Sequence, residues 1–235
     1  MALRNRKTTQ AESDNNIFWT TMADLLLGLA IIFMTLFVLA MTGFTQQTLE
    51  QKKHQIEVSK ELIENLKDAN IDAQVDEMTG DIKISDLELF EVGSYNLSPK
   101  GKAYLDKLIP IYINTIFSKK ELVGEIDNIV VQGHTDSQTY SGLKDANLSY
   151  MKNMQLSLQR ANSVADYMFK TGYDKKYSEK LREILTVEGK SNSDPILVNG
   201  KEDFNKSRRV ELRLKVKNVN VTEVLVHGVQ SLDDK

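Results

Sequence analysis

The strongest pattern in the chain is an unbroken apolar block near its N-terminus. Residues 22–41, MADLLLGLAIIFMTLFVLAM, contain one charged residue, Asp24, and no other charge occurs between Ile17 and Phe44. Twenty residues of α-helix rise about 30 Å, which matches the hydrocarbon thickness of a bilayer. We therefore predict a transmembrane helix over 17–44, preceded by a short arm over 1–16.

The flanks of this block bear on its processing and orientation. Three basic residues within 4–7 resemble the start of a signal peptide, but the apolar run exceeds the roughly 7–15 residues that are typical of one. We interpret the segment as an uncleaved anchor. Because Lys52 and Lys53 follow the block, the charge rule favours a cytoplasmic N-terminus only weakly.

The acid within the block has two interpretations. A carboxylate near mid-membrane costs about 2.5–3.5 kcal/mol on insertion scales. Asp24 either lies near the cytoplasmic end of the helix and reaches the interface, or it faces partner helices as an ion-carrying group. Gly28 follows one turn later on the same face, where a small residue allows another helix to approach closely.

The segment after the block, residues 45–73, is polar and helix-prone. Leu49, Ile56 and Ile63 are spaced seven apart, and Leu66 follows three residues later. This thin heptad pattern predicts a helix that continues out of the membrane and pairs with a second copy of the chain. The alternative is a solvated spacer that charge pairs hold in helical form.

From Ala73 onward, short strands and helices alternate. The pattern predicts a hairpin that turns at Thr79-Gly80 and alternates through Ile82, Ile84 and Leu87. Further strands are predicted over 127–136, 186–190 and 208–216. Ser98-Pro99 predicts the start of a helix that ends near Ser118, and a second helix is predicted over 156–171 after an irregular polar stretch to about Tyr150. We expect an α/β (α+β) two-layer sandwich over 74–217 and a tail over 218–235.

Composition narrows the possible chemistry. The chain has 235 residues, a net charge of −3 and no cysteine, so it forms no disulfide and does not resemble a general nucleic-acid binder. The three histidines lack zinc spacing. We find no nucleophile motif and no paired-carboxylate motif, and we therefore predict neither an enzyme nor a cofactor. His134 is predicted to be a core or turn histidine.

Four segments of the C-terminal part resemble the OmpA-like peptidoglycan-binding domain. They are GHTDS (133–137), LSLQRANSVADYM (156–168), EGKSNSDP (188–195) and SRRVEL (207–212), and they occur in this order. The resemblance implies that Asp136 binds the amine of diaminopimelate and that Arg160 binds its carboxylate. Thr135 and Asn162 are further polar candidates.

Alternatives remain for these residues. Asp136 and Arg160 could form only a structural salt bridge. Arg208 and Arg209 are expected to close the domain through sheet-edge pairing rather than to bind ligand. Ser207 departs from the asparagine that the family carries before its two arginines, and the long stretch over 137–155 leaves the affinity for the wall open.

The N-terminal stretch FWTTMADLLLGLAIIFMTLF (18–37) resembles the B subunits of ion-driven stators, such as the flagellar MotB and the ZorB of Zorya anti-phage systems. The Zorya type is favoured. The resemblance implies that Asp24 carries a proton or sodium ion. It also implies that two copies of the chain pass through a pentamer of A subunits in the bacterial inner membrane, with the N-terminus cytoplasmic and the OmpA-like domain periplasmic. The alternatives are a flagellar stator subunit and a static tether between membrane and wall.

Overall fold

The computed structural model describes residues 2–91, 93–138, 143 and 145–217, with side chains from residue 17 onward. One helix, α1 (Ala2–Asp68), contains the predicted arm, span and most of the linker. From Ile17 it is long and apolar enough to cross a membrane, and its apolar side chains there are exposed. The predicted tail over 218–235 lies outside the described residues.

The chain divides into two compact units. The first contains α1 as far as Leu49, and the second is Glu50–Asn218. The elements of the second unit that follow α1 are β1 (Gln74–Val75), β2 (Ile82–Ser85), α2 (Asp86–Leu89), α3 (Pro99–Ser118), α4 (Lys120–Glu125), β3 (Ile126–His134), α5 (Ala146–Met168), α6 (Ser178–Ile184), β4 (Leu185–Gly189), β5 (Leu197–Val198), β6 (Lys201–Glu202), α7 (Phe204–Ser207) and β7 (Arg209–Val216).

Five of these strands form one mixed sheet in the order β1-β2-β7-β3-β4. Strands β3 and β4 are parallel, whereas the other neighbouring pairs are antiparallel. β5 and β6 form a separate two-stranded hairpin. Val210, Leu212 and Leu214 alternate along β7 and are buried in the core with side chains of α3 and α5. This arrangement confirms the predicted two-layer α/β fold.

Local capping explains where the two long helices begin. The side chain of Ser98 accepts a hydrogen bond from the Gly101 amide at 2.9 Å, so α3 begins as predicted. The side chain of Asp145 caps α5, which begins ten residues before the predicted start at 156. The first turns of α5 bury polar side chains such as Ser149 and Asn153, and the apolar period therefore did not reveal them. Residues 139–142 and 144 of the predicted polar stretch lie outside the described residues.

One predicted core position is wrong. The hairpin strand ends at Ser85, and the next four residues form the short helix α2. Leu87 is consequently 59% exposed, whereas Leu89 is fully buried. The alternation that predicts Leu87 inside applies only as far as Ile84.

The end of α1 belongs to the folded unit rather than to a free linker. Val58, Leu62 and Leu66 are buried in the core, and Ser59 donates a hydrogen bond to the carbonyl of Asp76 at 2.7 Å. Lys119 forms ion pairs with two glutamates of α1. The domain therefore begins well before residue 74. Of the heptad residues, Leu66 packs inside its own chain and Leu49 is 52% exposed, and pairing between copies stays a prediction.

Candidate functional site

The candidate site forms where the sheet, α2 and α5 meet. Thr135 and Asp136 follow β3 directly, and the Thr135 amide donates a hydrogen bond to the carbonyl of Ser191 at 2.8 Å. The carboxylate of Asp136 accepts from the Gln138 amide at 3.1 Å, which fixes the side chain at the strand end. Both residues are buried, with 3% and 6% exposure.

Arg160 approaches the same place from α5. It is 3% exposed, its Nε donates to the carbonyl of Ser94 at 3.0 Å, and its guanidinium lies 5.3 Å from the centroid of the Phe90 ring. Its Nη2 lies 3.2 Å from Oδ1 of Asp86. That approach is an ion pair without hydrogen-bond geometry, because Asp86 Oδ1 accepts no hydrogen bond from the described residues. The oxygen keeps its capacity to accept.

Arg208 completes a group of two acids and two bases. Its Nη1 pairs with Asp136 at 2.5 Å, and its Nε lies 3.8 Å from Asp86. Burial raises the pKa of the Asp86 carboxyl, as does the neighbouring Asp136, while Arg160 and Arg208 lower it. Mutual neutralisation holds these four charges in a largely buried site.

The four residues line a cavity of about 410 Å³, which we call the acid–base cavity. Leu156 contributes an apolar wall, and Asn153 lies seven residues before Arg160 on the same face of α5. The hydroxyl of Thr135 is buried and has no hydrogen-bond partner among the described residues. A buried hydroxyl without a partner is costly, so this group is available to a ligand.

The structure brings together three of the four predicted wall-binding residues. Thr135, Asp136 and Arg160 line the cavity, whereas Asn162 is exposed and does not. The structure does not bring Asn162 to the cavity, because two residues along an α-helix rotate its side chain by about 200°, away from Arg160. Arg208, which was expected to close the domain rather than to bind ligand, also lines the cavity.

Asp86 and Asn153 were missed by the sequence analysis. Asp86 occupies a polar position in a predicted hairpin, and an acidic side chain at such a position is usually exposed to solvent. Asn153 lies in a stretch that was predicted to be irregular. The sequence offers one signal for Asn153, its heptad spacing to Arg160, which becomes visible once the helix is known to begin at Ala146.

His134 is a structural histidine, as predicted. It is 1% exposed, and its Nε2 lies 3.0 Å from Oε1 of Gln132. Burial lowers the pKa of His134 to about 4, and the charge of Arg209 acts in the same direction. Asp194 and Glu211 lie near it, but Arg209 pairs with both carboxylates, at 2.9 and 2.6 Å. The guanidinium neutralises the acids that a metal ion would need.

In the first unit, Asp24 and Gly28 lie one turn apart on α1. The Asp24 side chain is exposed, and a Cβ added at Gly28 would meet no described atom within 4 Å. This face of α1 is open within the described chain. The geometry is compatible with contact to another helix at this level.

Comparisons with known proteins agree with this architecture. Two curated relatives from Escherichia coli are named Zorya protein ZorB. One, from strain Crooks, is 28% identical over 219 residues, which cover 88% of this chain and 92% of the relative. The other is 26% identical over 226 residues, which cover 90% and 84%.

A solved structure, described as a MotB-like protein from Desulfovibrio vulgaris, shares the fold. Its TM-score is 0.51 at 23% identity, and the match covers 73% of this chain and 96% of that one. The family model described as the OmpA family matches residues 89–209, a little over half of the chain. This range contains α3–α7 and the acids and bases of the cavity except Asp86. The chain belongs to the OmpA family.

Proposed function

We propose that the chain is the wall-binding B-type subunit of an ion-driven stator, anchored in the bacterial inner membrane with its OmpA-family domain in the periplasm. The observation that carries the proposal is the acid–base cavity. Its two carboxylates and two guanidiniums are suited to a small ligand that carries both charges. The two ZorB relatives match 88% and 90% of the chain, which favours a Zorya-type subunit over a flagellar one.

Diaminopimelate, a residue of the peptidoglycan stem peptide, has the required chemistry. Its amine would bind between Asp136 and Asp86, and its carboxylate would bind the fork of Arg160, a geometry that guanidinium groups favour. Arg208 would release part of its pairing with Asp136 when the amine enters. Because opposite charges already occupy the cavity, the ligand exchanges ion pairs rather than introducing uncompensated charge.

Co-sedimentation of the full chain with purified peptidoglycan tests the cavity. Arg160→Lys keeps the positive charge but removes the planar fork, and we expect pelleting to fall about tenfold. Asp136→Ala should reduce it further. Asn162→Ala is the matched control, because it alters an exposed side chain of the same helix. Unchanged pelleting of correctly folded Arg160→Lys and Asp136→Ala would assign the pair a structural role only.

For the span, we propose that Asp24 carries a proton or sodium ion past a ring of A subunits, with two copies of the chain in a pentameric ring. Surrounding helices would shield the carboxylate from lipid, and neutralising it would change the contacts of the helix, which provides a two-state step. Gly28 on the same face supports close helix approach.

A static tether between membrane and wall is the second candidate, and Asp24 separates the two. Asp24→Asn should abolish activity in a phage-protection assay while membrane insertion and co-purification with the A subunit persist. A tether would retain full activity in this variant. Co-expression with a Zorya-type or a flagellar A subunit, followed by co-purification, distinguishes the two stator classes.

A further inference from the structure

A second cavity in the folded unit has a different character. It has a volume of about 600 Å³ and lies between β2, the N-terminal half of α3, the 70–74 segment and the end of α7. Lys100, Tyr104 and Lys107 reach it from α3, because positions i, i+4 and i+7 share one helix face. Lys83 reaches it from β2, and we call it the lysine cavity.

The balance of charge in the lysine cavity is positive. Five basic side chains and two acids, Asp72 and Glu88, line it. Two of the bases are paired with acids outside the lining, Lys206 with Asp203 and Arg209 with Asp194 and Glu211. Lys100 pairs with Glu88 at 2.9 Å. Lys83 and Lys107 form no ion pair within 4 Å with any residue that the structure describes, in contrast to Lys100, Lys206 and Arg209. Two lysines without an ion pair among the described residues thus face a concave surface, and Lys83 interacts with the Asp76 carboxylate only at longer range.

The wall of the cavity adds an aromatic ring without adding negative charge. Tyr104 is half-buried, and its hydroxyl donates to the carbonyl of Asp72 at 3.2 Å. Burial, together with Glu88 and Asp72, raises the pKa of Tyr104 to about 12. The phenol therefore stays neutral at physiological pH, and the cavity keeps its positive character.

The lysine cavity adjoins the acid–base cavity. Ser85 and Glu88 line the former, and the intervening Asp86 and Leu87 line the latter. The amide of Asp86 donates to the carbonyl of Arg208 at 3.0 Å, which joins the two segments that separate the cavities. Residues 85–88 therefore form a wall that the two cavities share.

We infer that the lysine cavity is a second subsite for peptidoglycan, which binds a carboxylate of the same stem peptide whose diaminopimelate occupies the acid–base cavity. The inference rests on the proposed wall binding. A stem peptide carries further carboxylates along its backbone, and these are the anions that lie within reach of a neighbouring cationic cavity. An anionic lipid headgroup presents a related negative charge, and the experiment separates the two sources.

Calorimetric titration of the full chain in detergent tests the inference with two probes, free diaminopimelate and a diaminopimelate-containing tripeptide muropeptide. The wild-type chain should bind the muropeptide more tightly. Lys83→Gln combined with Lys107→Gln should weaken muropeptide binding about fivefold, the combined effect of two exposed charge contacts. Binding of free diaminopimelate should not change.

Lys102→Gln combined with Lys152→Gln is the matched control, because both lysines are exposed and lie outside the two cavities. Equal loss in the control, or unchanged muropeptide binding in the cavity variant, overturns the inference and leaves the proposed function standing. A wild-type chain that binds neither probe overturns both. Short-chain phosphatidylglycerol is the third probe. If only its binding depends on Lys83 and Lys107, the site is a lipid site and the inference is wrong.

Discussion

A single methyl group at Gly133 should separate the two elements that build the acid–base cavity. Gly133 lies in β3, three residues before Asp136, and it faces the backbone of α5 at Ser157, three residues before Arg160. A Cβ added there would lie 2.8 Å from the carbonyl carbon of Ser157 and closer still to its oxygen. Carbon atoms in contact are about 3.5–4.0 Å apart, so α5 must move by about 1 Å.

The cost of this displacement can be estimated. Overpacking of a closely packed interior costs about 1–3 kcal/mol, and a backbone neighbour, which cannot rotate away, places Gly133→Ala near the upper limit. For a unit of the size of Glu50–Asn218, about 3 kcal/mol corresponds to a decrease of about 6–12 °C in Tm. Thermal unfolding of the full chain in detergent, followed by circular dichroism, measures this decrease.

Gly124→Ala is the matched control. Gly124 lies in α4, and a Cβ there would meet no described atom within 4 Å. Both substitutions reduce the entropy of the unfolded chain by a similar amount, so the difference between the two variants isolates the clash. We expect Gly124→Ala to be neutral or stabilising by up to about 1 kcal/mol.

The same displacement should weaken the proposed binding to the wall. A shift of about 1 Å between Arg160 and Asp136 is enough to remove well-formed hydrogen bonds to one ligand. At a temperature where Gly133→Ala remains folded, its co-sedimentation with peptidoglycan should therefore fall below that of Gly124→Ala. If Gly133→Ala is as stable as the control and pellets equally, then the contact between β3 and α5 does not position the site.

Two further predictions concern stability. Leu62→Ala should lower the free energy of unfolding by about 2–5 kcal/mol, because Leu62 is 1% exposed in the core. Leu49→Ala should change the free energy of unfolding by no more than about 0.5 kcal/mol. Equal effects of the two substitutions in thermal unfolding would show that the end of α1 does not pack on its own domain. Burial lowers the pKa of His134 to about 4, against 6.5 in an unfolded chain. Between these pH values the folded state binds fewer protons than the unfolded state. The free energy of unfolding should therefore decrease by up to about 3 kcal/mol as the pH falls from about 6.5 to 4. His134→Gln should flatten this part of the stability–pH profile, and an unchanged slope would assign the dependence to other groups.

The helices and strands whose positions depend on neighbouring residues alone could be predicted from the sequence. Ser98 and Pro99 place the start of α3 because a cap and a fixed φ act within one turn. Val210, Leu212 and Leu214 reveal β7 because alternation is a property of the strand itself. The order of the four OmpA-like segments carries the rest of the topology by resemblance.

The charges of the site required the tertiary structure. Asp86 and Arg208 are distant in sequence. The antiparallel pairing of β2 with β7 brings them together, and the pairing of β3 with β7 places them beside Asp136. The polar first turns of α5 hide that helix from an analysis of apolar periodicity. The docking of α1 was missed for a related reason, since Val58 and Leu62 lie outside the heptad that Leu49, Ile56 and Ile63 suggest.

The two adjacent arginines at the start of β7 are not interchangeable. Successive side chains of an extended chain point to opposite sides, so Arg208 meets Asp136 while Arg209 meets Asp194 and Glu211. The hydroxyl of Ser207 accepts a hydrogen bond from the Ile196 amide at 3.0 Å immediately before them. Insertions or deletions in the β5–β6 hairpin can thus be absorbed ahead of Ser207. An insertion or deletion of one residue directly after Ser207 would exchange the sides to which the two guanidiniums point, and Arg208 would then lose its contact with Asp136.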